Sequence, residues 1–282
     1  MTPDPIDLLP PELLRGHTAF ITGGGSGINF GIATAFARVG ADVAVCGRSE
    51  AKLRAATEEL TRLGARARYS VADVRDPDAV AAAFEQTATD LSPVSIVVAG
   101  AAGNFFSPAE TLTPKGFRTV VEIDLLGSFH TAHAAFDQLR ETRGSLLFIS
   151  AGQAYLPFAL QAHVGAAKAG VENLMRNLAY EWGHFGIRAN TLVPGPIAGT
   201  EGMKRLAGPV GEGVWTESLP LGRFGSVQEM AALAVVLSSP LASFVTGAQL
   251  VVDGGLSLSG LGAISNAVRT TAPDVGVAAD PT

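Results

Sequence analysis

Three features of the chain have the residue types and setting to do chemistry together. The first is the run FITGGGSGIN at 20–29, which follows an apolar stretch and opens a helical one. Backbone N–H groups in such a loop, aided by the positive end of the next helix, hold a pyrophosphate. Strand, glycine loop and helix in that order point to a dinucleotide, with Gly23, Gly25, Ser26, Gly27 and Ile28 at the loop. Gly23 and Gly27 occupy two usual glycine positions and Asn29 stands at the third; asparagine tolerates a positive φ, so the loop is expected to form. The second feature is VCGRSE, where Gly47 replaces the acid that would bind a ribose 2′-hydroxyl and Arg48 and Ser49 follow. A cation and a hydroxyl suit a 2′-phosphate, so NADP(H) is favoured over NAD(H). The third is Lys168 in QAHVGAAKAG, 161–170, whose small apolar surroundings are unlike those of a solvated lysine.

Other positions admit two readings each. Asp73 suits the adenine amino group, with Val74 against the ring, and equally suits the N-cap of a helix that begins near Pro77. Asn104, after Gly103, is either an amide donor to a developing oxyanion or a turn residue. Five histidines without HExxH or comparable spacing give a metal site no support.

These residues need a frame, and the alternation of short β-rich runs with helical patterns supplies it. TAFIT, ADVAVCG, ARARYSVAD, VSIVVAG, GSLLFIS, IRANTLV and AQLVVDGG read as seven strands. Helical runs cover 31–39, 49–63, 77–87, 114–140, 161–182 and 227–237, with Gly40, Gly64 and Gly186 at C′ positions. The expectation is a single-domain α/β Rossmann fold with a doubly wound, seven-stranded parallel sheet over 1–260 and a loosely ordered tail at 261–282. The length of 282 residues fits one large core. The glycine-rich stretch at about 195–226 exceeds a routine connection and suits a lid over a substrate. A net charge of -6 argues against nucleic acid and anionic membrane as partners and favours small molecules. One cysteine, Cys46, allows no internal disulfide and fits a reducing compartment. The N-terminal stretch has no basic start and no long apolar run, so a cytoplasmic location is expected.

TGGGSGIN, the DV at 73–74, AGAAGN after the fourth strand, a lysine helix, PGPI at 194–197 and VDGG at 252–255 together resemble the short-chain dehydrogenase/reductases over about 15–258. The resemblance adds Ala101, Pro194, Gly195 and Ile197 to the cofactor site and implies a homotetramer built partly from helices 114–140 and 161–182. That family usually works with an Asn–Ser–Tyr–Lys set; here those positions hold Asp124, Ala151, Val164 and Lys168, so only the lysine remains. AAGNF, EIDLLGSF, QAHVGAAKAGVE, PGPIAGTEGMKRL and SPLASFVTGAQLVVDGG are similar to the 2,4-dienoyl-CoA reductase branch, most of all its peroxisomal type, which also lacks the tyrosine.

The chemistry agrees. A reduced ketone becomes an alkoxide that needs an adjacent acid, whereas hydride addition to a dienoyl thioester yields a delocalised dienolate that needs oxyanion donors first and a proton on carbon afterwards. The resemblance implies that Lys168 holds the nicotinamide ribose, that Asn104 holds the thioester oxygen, and that Asp124 and Asp253 organise a protonating water. Asp253 is equally readable as an acid satisfied by backbone donors. Phe105, Tyr155, Lys204 and Arg205 are the expected substrate contacts, the last two toward the phosphates of an acyl-CoA, and His163 is either a packing residue or a substrate-channel contact. Tyr155 falls beside Gln153, the position matching the mitochondrial-type active-site tyrosine. Two rivals stay open: a carbonyl reductase with a relocated acid, and a cofactor-binding relative without catalysis.

Overall fold

The computed structural model describes residues 3–207 and 211–261. Seven parallel strands form one sheet in the order β3-β2-β1-β4-β5-β6-β7: β1 Thr18–Thr22, β2 Asp42–Gly47, β3 Ala67–Val71, β4 Ile96–Ala99, β5 Ser145–Ile149, β6 Arg188–Pro194 and β7 Gln249–Val252. β1 pairs with β2 on one side and with β4 on the other, Ala19 opposite Ile96, so the strand order reverses between β1 and β4. A crevice at such a reversal, beyond the carboxyl ends of the strands, is where this architecture binds ligands.

Both faces are covered, which is why β1 is buried at every residue and reads as an unbroken apolar run. Ala19 and Ile21 pack with Ile32 and Phe36 of α1 (Gly27–Arg38), Leu53 of α2 (Glu50–Arg62) and Val235 of α9 (Val227–Ser238). Phe20 turns the other way, stacking on Phe84 of α3 (Pro77–Asp90) within a core that includes Leu139 of α5 (Gly127–Thr142) and Met175 of α6 (Ala162–Trp182). Gly31 lets α1 and α9 meet closely: a Cβ there would lie 2.0 Å from Val227 Cγ1.

The structure adds detail at three places. The run 114–140 is α4 (Pro114–Val121), a π-helical turn (Glu122–Leu126) and α5, so the helix is continuous but its register shifts by one residue at Asp124. The stretch 195–226 holds two short helices, α7 (Glu201–Ala207) and α8 (Glu212–Glu217). The N-terminal segment also contributes: Asp4 and Asp7 both pair with Arg38 at the end of α1. Nearly all of the expected tail at 261–282 lies outside the described residues. None of the described helices is long and apolar enough to cross a membrane.

Candidate active site

The β1–α1 loop takes the shape a phosphate loop needs. Gly23 and Gly27 adopt φ of 70° and 60°, and Ser26, the N-cap of α1, spends no side-chain hydrogen bond on the helix. The first N–H groups of α1 are therefore left for a ligand. Asn29 does not use a positive φ; it lies within α1, and its Nδ2 donates to Gly100 O at 2.7 Å. A Cβ on Gly100 would lie 2.4 Å from Asn29 Oδ1, so glycine at 100 leaves space for the asparagine that stands at the third position. Gly100 and the neighbouring Ala101 both donate their N–H to Thr22 Oγ1, tying the end of β4 to β1.

At the adenosine end, Ser49 caps α2 without a side-chain hydrogen bond and Arg48 is exposed, with no ion pair among the described residues. These are groups free to take a phosphate. Asp73 is clasped by Arg75, which donates from its backbone N, Nε and Nη2 and holds the carboxyl below its usual range, with Arg48 adding a smaller push. Asp73 is not the cap of α3; Asp76 is, accepting from Asp78 N and Ala79 N. Val74 is buried against Gly127, where a Cβ would come within 2.5 Å of Val74 Cγ2.

The π turn brings the catalytic candidates together. Asp124 Oδ1 accepts from Gly103 N at 2.7 Å, and its Oδ2 lies 3.2 Å from Lys168 Nζ. The second contact is an ion pair without an aligned hydrogen bond, so Oδ2 keeps its accepting capacity. Lys168 also donates to Ile149 O at 2.9 Å, at the end of β5. One turn earlier on α6, Val164 is 3% exposed and packs with Val120 and Ala167, turned into the core. Ala151 lines the cleft, so neither position offers a hydroxyl there.

The cleft beside this centre is largely apolar, with Ile28, Pro194, Gly195 and Ile197 on its cofactor side and Met203 and Trp215 from α7 and α8 on the other. Asn104 lines it and forms no hydrogen bond among the described residues; its Oδ1 is buried and unpartnered. Asp253 also lines it, but Oδ1 accepts from Gly255 N at 2.8 Å and Oδ2 from Ser257 N at 2.7 Å, as the backbone-satisfied reading requires. Gly195 approaches closely, for a Cβ there would stand 2.5 Å from Asp253 Cα.

Several expected substrate contacts do not form the cleft wall. His163 is fully buried behind it, its ring 4.4 Å from that of Phe105, and burial lowers its pKa so that the imidazole is neutral at pH 7. Tyr155 lies near Ser257 and Asp253, its phenol pushed up by burial and then by the Asp253 charge. Lys204, on α7, is exposed and paired with Glu201 at 3.1 Å. Arg205 belongs to α7 by its backbone, and its side chain lies outside what is described. Sequence reasoning passed over Ser150, whose buried hydroxyl lines the cleft without a partner. A serine at the carboxyl end of a buried strand was the only available signal. Gln161, 1% exposed, was passed over too.

Residues 23–257 match the family model described as enoyl-(acyl carrier protein) reductase. The chain is 43% identical over 252 residues to the peroxisomal 2,4-dienoyl-CoA reductase [(3E)-enoyl-CoA-producing] of Danio rerio, covering 88% of this chain and 84% of that one. It is 42% identical over 250 residues to the enzyme of the same description from Saccharomyces cerevisiae, covering 87% and 86%. Among solved structures, an NADPH-bound short-chain oxidoreductase of Pseudomonas aeruginosa PAO1, described as containing an atypical catalytic center, superposes with a TM-score of 0.81 at 31% identity, covering 87% of this chain and 98% of that one.

Proposed function

The chain belongs to the short-chain dehydrogenase/reductase family, and from that premise we propose that it is an NADPH-dependent reductase of 2,4-dienoyl-CoA thioesters. One observation carries the reading. The two positions that would protonate a carbonyl oxygen hold Ala151 and a core-packed Val164, while an uncommitted amide, Asn104, lines the cleft.

The residues of the cofactor loop fit a dinucleotide phosphate, since the α1 N-terminus is open and Arg48 and Ser49 are unspent. When bound, NADPH supplies a hydride to the δ carbon of the substrate. Asn104 Nδ2 donates to the thioester oxygen as negative charge gathers there. Lys168, with one of its protons directed at Ile149 O and its charge paired with Asp124, keeps donors for the nicotinamide ribose, and its charge favours the dienolate. Asp124 Oδ2, lacking an aligned donor, accepts from a water that delivers a proton to the α carbon, the hydroxide so formed taking a proton back from solvent. Asp253 keeps lone pairs for the same water, beyond its two backbone bonds. Hydride at the δ carbon and a proton at the α carbon leave one double bond, at carbon 3. The zebrafish and yeast relatives, named as (3E)-enoyl-CoA-producing enzymes, support that product.

The same reading includes a homotetramer, supported by Phe117, Leu126 and Phe129, which are exposed on α4, the π turn and α5. For location it favours a reducing compartment such as the cytoplasm, supported by Cys46, a free and buried thiol pushed up to about 12 by burial. The peroxisome is said of the zebrafish and yeast relatives. The test is NADPH oxidation with 2,4-hexadienoyl-CoA followed at 340 nm, with the product double bond located by mass spectrometry. Steady turnover to a 3-enoyl product is expected; no turnover would overturn the reading.

A further inference from the structure

The loop that carries Asn104 is held from two sides. On one side Gly103 donates to Asp124 Oδ1 at 2.7 Å. On the other, Gln161 Nε2 donates to Phe105 O at 3.0 Å, the Phe105 ring lies 4.4 Å from that of His163, and Ser107 N donates to Leu160 O at 3.1 Å. Gln161 and His163 are 1% and 0% exposed. Leu160 adopts φ of 66°, a conformation that L residues rarely take, and its carbonyl is one of the groups gripping the loop. The grips on this second side come from the turn just ahead of Val164, where the family's tyrosine would stand.

We propose that Gln161 and His163 are positioning residues, latching the backbone and ring of Phe105 so that the adjoining Asn104 presents its amide to the substrate's thioester oxygen. The proposal rests on the role given to Asn104 above. Asn104 lies between two fixed residues, Gly103 and Phe105, and has no hydrogen bond of its own among the described residues, so its direction is set by its neighbours. The first turn of the lysine helix thus contributes to catalysis through the substrate loop, with no phenol of its own. Neither Gln161 nor His163 lines the cleft, which separates this role from substrate contact.

A double-mutant cycle tests it, using the full-length enzyme with NADPH and 2,4-hexadienoyl-CoA. Gln161→Leu and His163→Ala are each expected to lower kcat by about ten- to a hundredfold through misplacement of the amide. NADPH affinity, read by quenching of protein fluorescence, should stay unchanged. Combined with Asn104→Ala, either change should lower kcat no further than Asn104→Ala alone. His163→Phe, which keeps an aromatic ring against Phe105, should restore most of kcat. Additive losses would overturn the latch, and so would a Gln161→Leu enzyme as fast as the parent or a His163→Phe enzyme as slow as His163→Ala. If Gln161→Leu fails to fold, Gln161→Met, of nearly the same length and without the N–H, takes its place. Undiminished dienoyl reduction by Asn104→Ala would remove both the latch and the role of Asn104. A loss confined to Asn104→Ala would remove the latch alone.

Discussion

Lys168 Nζ and Asp124 Oδ2 stand 3.2 Å apart with only 7% and 1% of their side chains exposed. A lysine so enclosed needs an anion beside it, and the π turn of the α4–α5 helix supplies one. The pair therefore links the cofactor end of α6 to the loop that carries Asn104.

Removing that anion should cost stability as well as activity. Asp124→Ala leaves Lys168 buried without its partner and Gly103 N without an acceptor, for an expected loss of about 3–5 kcal/mol. Asp124→Asn keeps an oxygen for Gly103 and should lose clearly less. Chemical denaturation of the two variants separates the two contacts: the loss common to both is that of the ion pair, and equal losses would mean that the Gly103 bond contributes little.

Reaction type follows from Ala151 and Val164. A 3-oxoacyl-CoA reduced in this cleft leaves an alkoxide without a donor from either position, so the expected kcat/KM falls below that for a 2,4-dienoyl-CoA by about 10²- to 10⁴-fold. Side-by-side kinetics measure the ratio. Faster ketone reduction would make Tyr155 the first residue to replace.

The fold was legible because its signals are local and repeated. β2, β4 and β5 were short, largely apolar runs, Gly40 and Gly64 ended their helices with φ of 95° and 91°, and the glycine loop followed β1. What escaped depends on backbone register or on distant partners. Side-chain periodicity over 114–140 does not reveal the extra residue of a π turn, so the placing of Asp124 with Lys168 rested on the family resemblance alone. Asp73 and Asp76 are both acids ahead of Pro77, and only geometry separates the one held by Arg75 from the one that caps α3. His163 was readable either as packing or as a substrate contact, and only the geometry decides for packing, since its ring is sealed against Phe105.

Cofactor preference should rest on Arg48. Losing its contact with a 2′-phosphate is expected to weaken NADPH binding in Arg48→Ala by about 1.5–3 kcal/mol, with NADH little affected. Isothermal titration with both cofactors gives the comparison. Parent protein that binds the two equally would exclude the assignment.

Acid should loosen the start of α9. Glu229 accepts from Ser226 N and from both Nη atoms of Arg223, and these bonds, those from Arg223 foremost, hold its carboxyl at about 2, down from 4.5. With the folded value depressed, the stabilisation is complete above 4.5 and is lost as pH falls toward 2. Glu229→Ala removes one half of the capping box that starts α9, at an expected cost of about 0.5–2 kcal/mol at pH 7. Thermal melts across that pH window should show the gap between parent and variant closing as the solution becomes more acid.

The pairing of β1 with β4 also governs when the protein can first hold a cofactor. Ala19 meets Ile96 only after β2, α2, β3 and α3 have been made, whereas β1–β2 and β2–β3 join near neighbours in the chain. Long-range parallel pairing closes late, because a large loop must be ordered before any contact compensates for it. During synthesis the glycine loop therefore emerges well before the crevice that gives it a purpose. The nascent amino-terminal third meets the cell with the β4-facing edge of β1 unpaired, and that edge is where premature aggregation of this chain would begin.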